Sequence, residues 1–125
     1  MYTMKQVTQE TGLSAPTLRY YEKEHILPPI DRDSNGLRVY NDISLKSIYF
    51  IKALRATDMP IREIKEYVKL YEKGEETLQL RKSLLENHKA KVEEDLKAQA
   101  LYLKRITEKI ELYDEYVKNL DVRGQ

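Results

Sequence analysis

Apolar residues near the amino terminus recur at helical spacing in two short groups, and a glycine separates them. The first group ends at Gly12, and glycine commonly ends a helix because it adopts the left-handed conformation there. Ser14 then provides a side-chain oxygen that caps a helix start, and Pro16 fits the first helical turn, where its missing N–H is not needed. The pattern predicts a second helix over residues 15–24 and a helix-turn-helix unit over about residues 4–23.

One face of the predicted second helix is polar and aromatic. Leu18 and Tyr21 have the spacing of a buried edge. The residues left to face a binding partner are Ser14, Pro16, Thr17, Arg19 and Tyr20. Two amphipathic helices joined by a glycine turn occur in many folds, so these helices alone leave open whether the unit binds DNA.

A polar turn followed by a strand-like segment comes next. Residues 31–36 form the turn, which contains a glycine. Beyond it Arg38 and Tyr40 alternate with apolar residues, the period of a strand with one face on the core. The pattern predicts a β wing with Arg38 and Tyr40 facing solvent, where both could reach phosphate oxygens. A plain surface hairpin would show the same alternation.

Two further helices are expected after the wing. Asp42 begins a stretch with a strongly apolar face. Pro60 opens another, in which Ile64 and Val68 recur at helical spacing. We expect this pair of helices to close a domain over residues 1–71.

The apolar spacing changes beyond a predicted hinge at residues 72–77. Residues 78–120 carry apolar positions every seven residues, with partners four residues later, which is typical of a coiled coil. An unbroken helix of that length would extend about 65 Å, too far to bury its stripe against one small domain. Residues 121–125 would form a tail. The contacts of the predicted dimerisation helix are Leu85, Val92, Leu96, Leu103, Ile106, Ile110, Tyr113 and Val117. Spacing alone does not decide whether two such helices run parallel or antiparallel.

These features occur in an order that resembles the MerR family of bacterial transcription regulators. The matching positions within residues 2–70 are Val7, Gly12-Leu13-Ser14, Thr17-Leu18-Arg19-Tyr20-Tyr21-Glu22, Ile26-Leu27-Pro28, Arg32, Asn35-Gly36, Arg38, Tyr40 and Ile64. His25 and Asp58 stand where the family commonly has glycine. Leu37 and Val39 stand where tyrosine is frequent. The resemblance implies a mainly all-α fold, with a winged helix-turn-helix DNA-binding head and small β wing followed by a long coiled-coil dimerisation helix.

The resemblance also implies a function. A homodimer with antiparallel long helices would bind a pseudo-palindromic promoter operator in response to an unidentified signal. It would remodel the spacer DNA of the promoter so that RNA polymerase engages both promoter elements. Arg62 would meet the phosphate backbone from a second wing. The alternative is a coiled-coil adaptor or structural protein whose head binds protein and not DNA.

Composition narrows the classes of function. The formal net charge is only +1, so any attraction to nucleic acid must come from how the charges are placed. Cysteine is absent and the two histidines, His25 and His88, are far apart in sequence. We therefore expect no metal and no other cofactor. Without a phosphate-binding glycine loop or a nucleophile motif, we expect no enzymatic activity.

The sequence also bears on location and on an effector. No apolar run approaches the roughly twenty residues of a membrane span, and the expected location is the cytoplasm. A small-molecule effector would need a pocket, and tyrosines are common pocket residues. Tyrosines at helical spacing more often pack at the edge of a core, so the sequence identifies no ligand. The tyrosines in question are Tyr71, Tyr102, Tyr113 and Tyr116.

Overall fold

The chain forms five helices and a three-stranded sheet within residues 1–124, which are the residues that the computed structural model describes. The elements are β1 (Tyr2–Thr3), α1 (Met4–Thr11), α2 (Ala15–Lys23), β2 (Asp31–Arg32), β3 (Arg38–Tyr40), α3 (Asp42–Ala56), α4 (Ile61–Glu72) and α5 (Leu78–Arg123), with one turn of 3-10 helix at Glu75–Thr77 before α5. The mainly helical fold with a small β wing and a long last helix is the one predicted.

Side-chain caps set the ends of the first two helices. Thr3 accepts a hydrogen bond from the backbone N–H of Gln6, whose side chain in turn accepts one from the Thr3 N–H. Gly12 ends α1 with φ 75°, a left-handed conformation that glycine adopts without steric cost. Ser14 caps α2 by accepting from the N–H of Thr17 at 3.2 Å. The predicted second helix is therefore confirmed, one residue shorter than expected.

The wing is built around a hydrogen-bonded turn between β2 and β3. These strands pair antiparallel, with Arg32 opposite Arg38. The Asp33 carboxylate accepts from the N–H of Leu37 at 3.0 Å, and Arg32 donates to the Gly36 carbonyl at 2.8 Å. Strand β1 pairs with the other edge of β3 and was not predicted, because two residues are too few to show a period.

The strand prediction placed the wrong side chain outside. Tyr40 is 1% exposed and belongs to the hydrophobic core, whereas Leu37, expected inside, is 64% exposed. Tyr40 lies in the central strand, opposite Tyr2 of β1, and Leu37 belongs to the turn before the strand. Burial of the large aromatic ring of Tyr40 is favourable, although the alternation pattern had placed Tyr40 on the solvent side with Arg38.

One hydrophobic core stabilises the head. Its buried members come from α1 to α4, from β3 and from the loops that follow α2 and α3, namely Val7, Leu18, Tyr21, Ile26, Leu27, Tyr40, Ile48, Ile51, Leu54, Met59 and Ile64. The predicted burial of Leu18 and Tyr21 is confirmed. Helix α2, the wing and this core lie in one compact unit, which spans Met1–Leu85.

Helix α5 is continuous from Leu78 to Arg123, three residues beyond its predicted end. Its first turns belong to the head unit, and the second unit begins at Glu86. Leu85 was assigned to the dimer contacts, but it is partly buried against the core of its own chain. Its contact with a second copy stays a prediction, since the sequence period does not tell which part of a stripe packs within its own chain.

Two residues other than glycine adopt left-handed backbone conformations. His25 has φ 59° and Asp58 has φ 67°. These are the two positions at which the resemblance led us to expect glycine. The backbone at both positions therefore has a conformation that glycine favours, although neither residue is glycine.

Replacing these two residues by glycine should stabilise the head. The left-handed conformation costs a residue with a side chain about 1–2 kcal/mol. Replacement by glycine removes this cost, but part of the gain is offset because glycine has more conformational freedom in the unfolded chain. We expect His25→Gly to raise the free energy of unfolding by about 0.5–1 kcal/mol in urea denaturation. The matched control is Lys46→Gly in α3, which should lower it by about 1 kcal/mol. A loss of stability in both variants would contradict this reading of His25.

Candidate nucleic-acid interface

The outer edge of α2 presents its polar and aromatic residues to solvent. Arg19 is exposed and Tyr20 is 47% exposed, while Leu18 and Tyr21 on either side point into the core. Pro16 is also exposed. The core thus fixes the helix and leaves one edge for contacts with another molecule.

Ser14 and Thr17 form a linked pair at the start of α2. Their hydroxyl oxygens lie 2.8 Å apart, and Ser14 also caps the helix. Ser14 is exposed and Thr17 is half-buried. Both hydroxyls remain at the helix start, where backbone N–H groups and the helix dipole favour an anion such as a phosphate.

The wing places a further arginine beside α2. Nε of Arg38 donates to the Glu22 carboxylate at 2.6 Å, and the Arg38 side chain is 23% exposed. The sequence pattern indicated Arg38 but not this partner, because nothing in the spacing of two residues from different elements indicates their contact. Arg32 was likewise not selected as a site residue, although it is exposed and anchors the wing turn.

Tyr40 is buried, unlike the charged side chains of Glu22, Arg32 and Arg38 near it. Burial is the main cause that raises the pKa of its hydroxyl, and the carboxylate of Glu22 raises it further. The guanidinium groups of Arg38, Arg19 and Arg32 act in the opposite direction. Because it is buried, Tyr40 is removed from the predicted DNA contacts. The charged groups that surround it belong to the candidate interface.

An open cleft of about 380 Å³ lies between the amino terminus, α2 and the wing. Its basic lining comes from elements far apart in sequence, namely Lys5, Arg19, Arg32 and Arg38. Leu37 and Val39 line the same cleft. A basic cleft with apolar walls has the chemistry to hold a sugar–phosphate strand.

Arg62 lies apart from that cleft, in the first turn of α4. Pro60 precedes the helix, and the Arg62 side chain is exposed. On the neighbouring part of the head, Glu24 forms an ion pair with Lys65. The hydrogen bond to Lys65 is the main cause that lowers the pKa of the Glu24 carboxyl.

Other kinds of site are not apparent among residues 1–124. In that part of the chain no group of three or more histidine, cysteine, aspartate or glutamate residues could hold a metal ion. Nor does any helix formed by these residues have the length and apolar character needed to cross a membrane.

Two helices joined by a tight turn, a basic outer edge on the second and a β wing beside it define a winged helix-turn-helix transcriptional regulator. The chain belongs to the MerR family. The model of the MerR HTH family regulatory protein matches residues 2–70, and the model described as MerR, DNA binding matches residues 45–109. The family consists of DNA-binding regulators and not of enzymes.

Relatives from several bacteria agree with this placement. The chain is 37% identical over 87 residues to the HTH-type transcriptional regulator AdhR of Bacillus subtilis, covering 70% of this chain and 62% of AdhR. It is 32% identical over 114 residues to an uncharacterized HTH-type transcriptional regulator of Haemophilus influenzae, covering 91% and 84%. The chain thus spans less than two thirds of the length of AdhR.

Solved structures show the same fold. The crystal structure of HiNmlR, a MerR family regulator lacking the sensor domain and bound to promoter DNA, aligns with a TM-score of 0.83 and 32% identity over 91% of this chain and 90% of that one. A MerR family regulator from Listeria monocytogenes aligns with a TM-score of 0.84 and 29% identity over the full length of both chains.

Proposed function

We propose that this chain binds a promoter operator as a homodimer and regulates transcription from that promoter. The observation that carries the proposal is the exposed edge of α2 with Arg19 and Tyr20, next to a wing that presents Arg38. Its likeness to HiNmlR bound to promoter DNA supports the same target. A regulator of bacterial promoters would act in the cytoplasm.

Each residue of this edge has a chemistry suited to DNA. The guanidinium of Arg19 can bind guanine or a phosphate, and Thr17 can meet a base edge or a thymine methyl group. Tyr20 would donate its hydroxyl to a phosphate. Ser14, Pro16, Arg38 and Arg62 would complete the contacts with the backbone.

The exposed stripe on α5 supports the proposed homodimer. Seven apolar side chains between Glu86 and Arg123 are each more than half exposed although they share one face, namely Leu96, Leu103, Ile106, Ile110, Tyr113, Val117 and Leu120. With half-buried Val92 they form the predicted seam. A second copy of the same helix would bury this seam, and antiparallel pairing is what the family resemblance implies.

A symmetric dimer predicts the form of the operator. Two recognition helices would enter successive major grooves on one face of DNA, so the half-sites should be inverted repeats separated by one or two turns of about 34 Å. Family resemblance adds that the dimer distorts the promoter spacer for RNA polymerase. Its energetic basis would be DNA deformation offset by contacts of the helix and wing.

Selection of bound duplexes from a random pool, followed by footprinting, tests the proposal. We expect an inverted repeat protected on one face of the helix. Absence of any enriched sequence at low ionic strength would overturn the proposed function. Stoichiometry on the selected duplex, measured by sedimentation, should be two chains per operator.

Replacing Arg19 by alanine should weaken operator binding strongly. A specific arginine contact with a base is worth about 1–3 kcal/mol, which is roughly 5- to 150-fold in affinity. Arg105→Ala removes the same charge from an exposed position of α5 and should have little effect. Fluorescence anisotropy at fixed salt measures both variants, and equal affinities would contradict the role of Arg19.

A further inference from the structure

The basic surface of the head contains a carboxylate, and that carboxylate is tied to the wing. Glu22 lies near the end of α2, and its Oε2 accepts the 2.6 Å hydrogen bond from Nε of Arg38. Both side chains are about three-quarters buried, with exposed fractions of 26% for Glu22 and 23% for Arg38. The ion pair therefore connects the recognition helix directly to the wing.

The bond with Glu22 leaves the rest of the Arg38 guanidinium available. Among residues 1–124, neither Nη1 nor Nη2 of Arg38 has a hydrogen bond or ion pair of its own. A guanidinium is planar and carries five donors, so one edge can be held while the terminal nitrogens bind a phosphate. Glu22 holds Arg38 in this way.

The ion pair is poorly explained by stability or by general attraction to DNA. In a largely buried ion pair, the cost of desolvating both charges offsets most of their attraction, so the net contribution to folding is small. A negative charge next to Arg19 and Arg38 also weakens attraction to every phosphate, whatever the sequence. What it does provide is a fixed orientation for a long side chain that would otherwise lose rotamer freedom on binding.

We propose that Glu22 is a positioning residue of the DNA-binding surface, which aims Arg38 at one backbone phosphate and so raises discrimination between operator and other DNA. The operator is bound in one register, where a fixed guanidinium meets its phosphate. Other DNA is bound through electrostatic attraction alone, and the negative charge of Glu22 weakens that attraction. This inference rests on the proposed function in operator binding.

Two substitutions of Glu22 separate its geometry from its charge. Glu22→Gln keeps an oxygen that accepts from Nε of Arg38, whereas Glu22→Ala removes it. We expect the ratio of operator affinity to affinity for a scrambled duplex of equal length to fall about fivefold in the alanine variant. In the glutamine variant the ratio should stay within about twofold of wild type, although both affinities rise because a negative charge is lost.

A double-mutant cycle shows whether Glu22 acts through Arg38. Arg38→Ala alone should lower operator affinity about tenfold. Adding Glu22→Ala to that variant should raise both affinities through the lost charge. The ratio of operator affinity to affinity for the scrambled duplex should change by less than about twofold, because the side chain that Glu22 positions is gone. If Glu22→Ala lowers the affinity ratio equally with and without Arg38, the positioning role is overturned.

Glu24 provides the matched control. It is two residues from Glu22 and is also paired with a basic residue, Lys65, but it does not contact the wing. Glu24→Ala removes the same charge and should leave the affinity ratio unchanged. If Glu22→Ala does not fold, as judged by circular dichroism, Arg38→Lys tests the same bond because lysine lacks Nε; the ratio should again fall about fivefold.

The outcomes distinguish this inference from the function on which it rests. If wild-type protein enriches no operator, the proposed function fails and this inference fails with it. If wild-type protein binds its operator and Glu22→Ala or Arg38→Lys keeps the wild-type affinity ratio, only the positioning role of Glu22 is overturned.

Discussion

Replacement of Ile106 and Ile110 by glutamate is expected to convert the protein to monomers and to abolish tight operator binding. Both isoleucines are more than half exposed on one face of α5, 59% and 56%, and the proposed seam has its partner helix there. Burying two carboxylates in a seam is strongly unfavourable unless they are paired. A separated head would also lose the gain that comes from joining two binding units, about 100-fold or more.

Sedimentation velocity and operator titration measure the two consequences separately. The control is Leu101→Glu with Leu112→Glu, which makes the same change in charge at two exposed leucines of the same helix. At about 100° per residue these two positions lie on the opposite face from the seam, so this variant should remain dimeric. A dimeric Ile106→Glu, Ile110→Glu protein with wild-type affinity would rule out the seam, as would a wild type that is monomeric at micromolar concentration.

Replacement of Tyr40 by alanine is expected to destabilise the head severely. Tyr40 is among the largest fully buried side chains, and removing a buried aromatic ring costs about 3–5 kcal/mol. That is a large share of the stability of a small domain, so much of the variant should be unfolded at physiological temperature. Thermal and urea denaturation followed by circular dichroism measure the loss.

Phenylalanine substitutions distinguish this core role from a contact with DNA. Tyr40→Phe keeps the buried ring and should keep operator affinity within about twofold. Tyr20→Phe removes the hydroxyl of an exposed ring and should weaken operator binding about five- to tenfold through loss of a phosphate contact. If Tyr40→Phe loses affinity while Tyr20→Phe does not, the assignment of these two tyrosines must be reversed.

Local signals predicted most of the elements because each signal depends on residues close together in the chain. Ser14 and Pro16 start α2, Gly12 ends α1, and the polar turn of the wing closes through its own Asp33. Likewise, the seven-residue period of the long helix can be recognised from that segment of the sequence alone. The helix-turn-helix, the wing and α5 were predictable for that reason.

The candidate site was predictable only in part. Exposed Arg19 and Tyr20 follow from the period of α2. The partner of Arg38 does not, because Glu22 is 16 positions away on a different element and meets it only after the wing has packed. Leu85 shows the same limit, since its period matches the seam but it also packs partly against the core of the head.

The sequence alone was sufficient for the family, for where the helices begin and for the stripe on α5, since caps and periods act between near neighbours. Packing of the folded head settled which face of β3 is buried, which carboxylate holds Arg38 and where the uncovered stripe begins. Tyr40 lies on β3, the central strand between β1 and β2, and its ring packs in the core of the head. Such outcomes depend on contacts between distant segments, whose free energy exists only once those segments have come together.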